Sequence, residues 1–303
     1  MTEIMTSIAS TVVFLFSSGT NPQPIGTGFI VGYPIMKESS SVIPLVVTAK
    51  HVLGDQKIVL ARFSTQENKS IAYVQYDIEA MKHSNDYWEY PGDDGVDLVV
   101  FRSPHFEGTK YQPFPINLIA SKKTFVENSI SQTDRIIFPS LLLNFMGSTQ
   151  NYPVIRDGSI ALIPEEKVPL RYKVGNREII TEQEVILIDA ISIPGASGSP
   201  VFLWPGPRIM GKSFNVGGTQ PFLLGIMHGF YYANPRDILD IQTSDSKKMF
   251  QENSGIAIIF PSWKLLEILE SKPLVDRMQE ISLIETNKNN HKGKSGDGEI
   301  GDA

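Results

Sequence analysis

A chain of 303 residues, 41% apolar and 20% charged, is long enough for about two domains or two halves of one unit and has an ordinary globular composition. A net charge of −6 with no Lys/Arg cluster argues against nucleic acid as a partner. The absence of cysteine excludes disulfides, thiolate catalysis and Cys-ligated zinc, and fits a reducing compartment.

In chain order, the start (MTEIMTSIAS) carries an acid and no Lys or Arg, and the apolar run that follows is too short to span a bilayer. A cytoplasmic protein with no membrane partner is therefore expected. Residues 11–16 (TVVFLF) and 26–31 (GTGFIV) read as strands. Gly26, Gly28 and Gly32 suggest a dinucleotide loop, but such a loop must open a helix, and the segment that follows, GYPIMKESSS, is a turn. The β-branched run at 45–48 gives way to His51, which taken alone reads as a satisfied structural histidine. Further strands are expected at 57–63 and 71–76. The turn at 91–95 (PGDDG) then leads into 96–101 (VDLVVF). Asp97 is a carboxylate in an apolar strand, which costs free energy unless something hydrogen-bonds it; its plainer reading is an acid at a strand-start turn.

Residues 102–133 look like a crossing to a second half, with short strands at 135–145, 154–163, 184–193, 201–204, 222–227 and 255–260. Many short strands with little helix between them argue for barrels or a sandwich. Long loops at 205–220 and 233–253 are expected to border a cleft. From residue 261 the period becomes helical, through Leu265, Ile268 and Leu269, then after Pro273 through Leu274, Met278 and Ile281.

Between two apolar runs lies the segment 193–202 (IPGASGSPVF). A turn there exposes the Ser197 hydroxyl, and Gly195 can adopt a φ that points its N–H, with that of Ser197, toward one spot, as an oxyanion hole requires. A plain Gly/Ser hairpin turn is the alternative. The order His51, Asp97, Ser197 matches the chymotrypsin-like triad rather than the subtilisin or α/β-hydrolase order.

With these motifs the chain resembles the trypsin-like, chymotrypsin-fold serine peptidases of the compact, disulfide-free bacterial type. The matching residues are Gly26-Thr27-Gly28-Phe29, Thr48-Ala49-Lys50-His51, Val96-Asp97-Leu98 and Gly195-Ala196-Ser197-Gly198-Ser199-Pro200, with Leu224-Gly225-Ile226 and Gly255-Ile256-Ala257 like two late strands. The resemblance implies an all-β fold of two packed six-stranded antiparallel β-barrels with a C-terminal helix. Residues 1–110 would form the first barrel, 111–271 the second with its terminal helix, 272–286 a short helical extension and 287–303 a disordered tail. It implies a serine endopeptidase acting on proteins or peptides, with His51, Asp97 and Ser197 catalytic, Gly195 and Ser197 as oxyanion donors, and no metal or cofactor. Ala196, where animal members carry an aspartate, excludes activation by a new N-terminus, and little chain is left for an appended PDZ domain.

For specificity, the resemblance places Ile191 and Ser192 at the pocket floor, with His228, Gly229, Phe230 and Gly255 on its walls. An apolar Ile191 floor would favour small or medium apolar P1 residues over Lys or Arg. His228 either lines the pocket, where with Ser192 it could accept an acidic P1, or lies beside Asp97, or is a core histidine. A catalytically silent binder, or an esterase using the same triad, remains open. A regulatory protein partner that orders the loops is also open.

Overall fold

The computed structural model describes residues 2–35, 41–67, 70–104, 108–210, 213–215, 220–233 and 252–294. The expected loop at 233–253 therefore falls almost wholly outside the described residues, as do 295–303.

The first half is a nine-stranded sheet made of β1 (Val12–Ser17), β2 (Pro24–Pro34), β3 (Val42–Thr48), β4 (Ile58–Thr65), β5 (Ile71–Asp77), β6 (Tyr87–Glu89), β7 (Val99–Arg102), β8 (Thr109–Lys110) and β9 (Phe114–Pro115). Its main order is β5-β4-β1-β2-β3-β7-β6, with β8 added to β4 and β9 to β2. The apolar run of β1 has no polar alternation because both faces are buried. Val13 and Leu15 pack with Ile30, Val46 and Phe63, whereas Phe14 and Phe16 pack with Phe29, Leu45 and, from the second half, Phe202 and Phe260. The expected closure of six strands is not what this half shows: the sheet curls as a half-barrel whose path ends at β5 and β6. Both ends suit an edge, since β6 has three residues and β5 exposes alternate positions such as Tyr73.

The second half closes as expected. β10 (Arg135–Ser140), β11 (Val154–Leu162), β14 (Ile186–Asp189), β19 (Glu252–Pro261), β18 (Leu223–Ala233) and β15 (Pro200–Leu203) form an antiparallel six-stranded barrel in that order. Ile136, Phe138, Ile160, Ile188, Val201, Leu224 and Ile259 share its core cluster. Two hairpins stand apart from it, β12 (Val168–Val174) with β13 (Arg177–Gln183), and β16 (Arg208–Met210) with β17 (Ser213–Asn215).

Helices are short except the last: α1 (Thr2–Ala9), α2 (Lys50–Leu53), α3 (Ile78–His83), α4 (Lys122–Glu127), α5 (Ser262–Leu269) and α6 (Lys272–Lys294). Pro273 does not break a helix but sits in the first turn of α6, where its missing N–H has no intrahelical partner to lose. The helix also runs through 287–294, which sequence composition assigns to a disordered tail; it meets no proline or glycine after Pro273 until Gly293. Leu274 and Met278 bury its face, and Arg277 Nε donates to Asp86 Oδ1 at 2.9 Å alongside the Arg102 Nε bond of 2.9 Å. Burial alone would raise the Asp86 pKa, but the two guanidinium groups hold it below the usual carboxylate range.

Candidate active site

β3 and β7 pair antiparallel with Thr48 opposite Val99, so the residues just after one strand and just before the other leave the sheet at the same place. α2 begins at Lys50, and Asp97 lies two residues ahead of β7 rather than inside it. There the Asp97 carbonyl accepts Lys50 N–H at 3.3 Å and its Oδ1 accepts His51 N–H at 2.8 Å. Its Oδ2 lies 2.5 Å from His51 Nδ1. An ionised carboxylate only accepts, which puts a proton on Nδ1, so that the neutral ring of His51 keeps its lone pair on Nε2. Asp97 is fully buried. Burial works against its charge, yet the two neighbouring histidines, His51 and His228, hold its pKa well below the usual range. For His51, burial lowers the pKa but the Asp97 charge and hydrogen bond outweigh it, so the net shift is upward.

Ser197 stands in the connection from β14 to β15, which consists of two consecutive turns. In the first, Ala196 N–H donates to Ile193 O at 3.0 Å, Pro194 takes the second position and Gly195 the third with φ +98°. That is the type II turn, where proline pre-sets one angle and glycine supplies the positive one. In the second turn Ser199 N–H donates to Ala196 O at 3.0 Å and Gly198 has φ +83°, with so little room that an added Cβ would lie 2.0 Å from Thr27 O. Ala196, Gly198 and Ser199 thus use their N–H groups within the protein, while among the described residues nothing accepts those of Gly195 and Ser197. Two unpaired donors flanking a serine are the arrangement that receives a developing oxyanion.

Thr27 on β2 clamps this loop from the first half. Its N–H donates to Ser197 O at 2.9 Å, its Oγ1 donates to Gly195 O at 2.6 Å and accepts Leu141 N–H at 3.0 Å. Sequence reasoning picked out the GTGF strand without assigning Thr27 this task, since its partners are distant in the chain. The Ser197 hydroxyl donates to His228 O at 3.1 Å; among the described residues no hydrogen bond joins it to His51.

The pocket expectations need correction. Ala190 N–H donates to Gly255 O at 3.0 Å, and the alternation then runs Ala190 in, Ile191 out, Ser192 in, with Ile191 63% exposed and Ser192 3%. Ile191 therefore builds no buried apolar floor, and the preference for apolar P1 residues loses its basis. His228 does not line a pocket with Ser192 either. Its Nδ1 lies 2.5 Å from Asp97 Oδ2, so the acidic-P1 reading falls with it. Gly229 has open space where a side chain would project, Phe230 is half-buried and packs against the barrel core, and Gly255 has φ +82°.

His51, Asp97 and His228 offer three ligand atoms within 4.8 Å of one another, the one candidate metal cluster among the described residues. Two ligands of one tetrahedral zinc, each about 2.0–2.1 Å from it, sit about 3.3 Å apart. The 2.5 Å nitrogen–oxygen separations here are those of hydrogen bonds.

The hairpin β12–β13 was not legible as an element, although its Gly175-Asn176 turn is a hairpin signal. It lies over the His51 side of the site: Asn176 N–H donates to Asp55 Oδ2 at 2.9 Å and Tyr172 OH donates to Gly95 O at 3.0 Å.

No protein-family model matches the chain, and no curated protein does. Among solved structures, the MamO protease domain from Magnetospirillum magneticum superposes with a TM-score of 0.50 over 88% of this chain and 98% of that one, at 14% identity. The chain has the chymotrypsin-like serine-peptidase fold. A serine endoprotease from Yersinia pestis matches with a TM-score of 0.49 at 15% identity, covering 91% of this chain and 66% of that one. No helix among the described residues is long and apolar enough to cross a membrane.

Proposed function

We propose that the chain is a serine endopeptidase that hydrolyses protein or peptide substrates through Ser197, His51 and Asp97. The observation that carries this reading is the Pro194-Gly195 turn, which among the described residues leaves the N–H groups of Gly195 and Ser197 without acceptors, in a protein whose His51 is held by Asp97.

In the reaction the Ser197 hydroxyl leaves His228 O and hydrogen-bonds His51 Nε2 instead. His51 takes the hydroxyl proton as Oγ bonds to the scissile carbonyl carbon, and the carbonyl oxygen becomes an anion received by the two N–H groups. Asp97 stays ionised and stabilises the imidazolium. The proton then passes from His51 to the leaving amine as the C–N bond breaks. Water repeats the sequence on the acyl-enzyme and frees Ser197. Each step uses side chains and backbone of this chain alone.

The Ser197 bond to His228 O is the observation that favours a catalytically silent binder, since a hydroxyl held there is not yet aligned with its base. Catalytic hydrogen bonds often form only in the substrate complex. The test is incubation with a proteome-derived peptide library, reading new termini by mass spectrometry. Cleavages that vanish in Ser197→Ala support an endopeptidase; none in wild type favours the binder, and hydrolysis of activated esters without peptide cleavage favours an esterase. A cytoplasmic setting, which the cysteine-free composition fits, and a bacterial source, which the family resemblance suggests, are part of this proposal.

A further inference from the structure

The Asp97 carboxylate is unusual in what surrounds it. Oδ1 accepts the His51 backbone N–H, and Oδ2 faces two imidazole Nδ1 atoms, from His51 and from His228, each at 2.5 Å. His228 comes from β18 in the other half of the molecule and is 8% exposed. Three rings box it in edge-to-face: Tyr172 at 4.6 Å, His51 at 5.3 Å and Phe260 at 5.4 Å between centroids. The Tyr172 hydroxyl is tied to Gly95 O in the turn ahead of Asp97, so the hairpin β12–β13 holds that wall in place. A ring so enclosed has little freedom to swing its Nδ1 away.

We propose that His228 is a positioning residue that donates its Nδ1–H to Asp97 Oδ2, so that one carboxylate is held from both halves of the molecule and orients His51 from a fixed point. Because an ionised carboxylate only accepts, each imidazole carries a hydrogen on the Nδ1 that faces Oδ2. His228 also presents its backbone carbonyl to the Ser197 hydroxyl, so a single residue touches both ends of the triad. The bond stands on geometry alone; its consequence for turnover rests on the serine-peptidase reading.

Loss of the second donor leaves a lone pair of Oδ2 unmatched in a buried site and lets the carboxylate shift. It also leaves more of the Asp97 charge for His51, which favours the imidazolium. The other charged or titratable groups on the elements packed here include Tyr172 on the hairpin, Asp93 and Asp94 in the preceding turn, Glu89 on β6 and Lys50 beside His51. Lys50 Nζ is engaged by Asp94 O at 2.9 Å and Glu89 at 3.4 Å, and Asp93 by Gln183 at 3.0 Å. None of these supplies a second donor to Oδ2.

The experiment compares His228→Ala with His228→Asn, whose amide N–H can stand where Nδ1–H stood. His228→Ala is expected to lower kcat about 10- to 100-fold, as loss of a hydrogen bond to a charged group does, with KM within about threefold. The acid limb of kcat/KM moves to higher pH, and His228→Asn recovers most of the loss. A His228→Asn as slow as His228→Ala with an unmoved acid limb, or a His228→Ala as fast as wild type, overturns the proposal. A second readout needs no turnover: proton NMR of the resting protein should show two downfield Nδ1–H resonances, one lost in His228→Asn and the other in His51→Ala. Absence of any downfield resonance dependent on His228 overturns the bond itself. Wild-type protein with both resonances and no hydrolysis would instead remove the peptidase reading and leave the bond standing.

Discussion

In the first half of the molecule His51 and Asp97 have partners for their buried polar groups. The carboxylate takes three N–H groups, and its backbone carbonyl takes a fourth. In the second half the loop that carries Ser197 does the reverse, pairing the N–H of Ala196, Gly198 and Ser199 within the protein and leaving those of Gly195 and Ser197 without acceptors among the described residues. The contrast is what the two tasks proposed for these residues require. A buried charge is tolerable only when fully hydrogen-bonded, so the acid–base pair must be satisfied in the resting state. An oxyanion hole contributes only if its donors wait unoccupied for a charge that appears during reaction. Thr27 couples the two, because one hydroxyl and one N–H from the first half fix the loop of the second.

Breaking the satisfied side has the largest effect. Asp97→Asn removes the charge that stabilises the His51 imidazolium and disturbs the tautomer, and is expected to lower kcat about 10⁴-fold in a folded protein, measured by steady-state kinetics with circular dichroism as the control. Cutting the coupling is milder. Thr27→Val keeps the branched shape but leaves Gly195 O and Leu141 N–H without this partner, for an expected loss of about 1–3 kcal/mol in urea unfolding and about tenfold in kcat.

The pH profile sharpens the same comparison without a mutation. His51 acts as a base only when neutral, and its pKa is raised by Asp97. Activity should therefore fall as the pH drops through a midpoint above the ordinary histidine value of about 6.5, read from kcat/KM against pH. A midpoint below that value would contradict the Asp97–His51 pairing. The smallest effect lies outside the site, where Asp86 docks α6. Its folded pKa is depressed, so its stabilisation is present above the usual carboxylate range and is lost as pH falls through the folded value. Asp86→Asn should lower stability by about 1–3 kcal/mol near neutrality and flatten the acid dependence of thermal melts, with turnover little changed.

The motifs around His51, Asp97 and Ser197 were legible in sequence because each site lies at the end of an apolar run and is marked by short, local signals, and the Pro194-Gly195 turn is dictated by two adjacent residues. The strands of the second half were legible for the same reason, since they alternate with turns, but those strands alone fitted barrels or a sandwich, and closure was implied by the family resemblance. What escaped depends on register or on distant partners. Ile191 points out and Ser192 in because of one bond to Gly255, and a slip of one residue reverses a strand's faces. For His228 the sequence left the pocket, the side of Asp97 and the core all open, and the choice is made only once β18 is set in the barrel, 131 positions along the chain from Asp97. The hairpin β12–β13 alternates exposed polar residues such as Arg171, Lys173 and Glu178 with its few buried ones, so it carried little apolar signal.

The central claim is that Ser197 is a nucleophile activated by His51, and reaction with a fluorophosphonate probe tests it most directly. Intact-mass and peptide mapping should find one adduct per chain on Ser197 in wild type, with none in Ser197→Ala or His51→Ala. A folded wild-type protein with no adduct on Ser197, or an adduct that persists in His51→Ala at the wild-type rate, would contradict it.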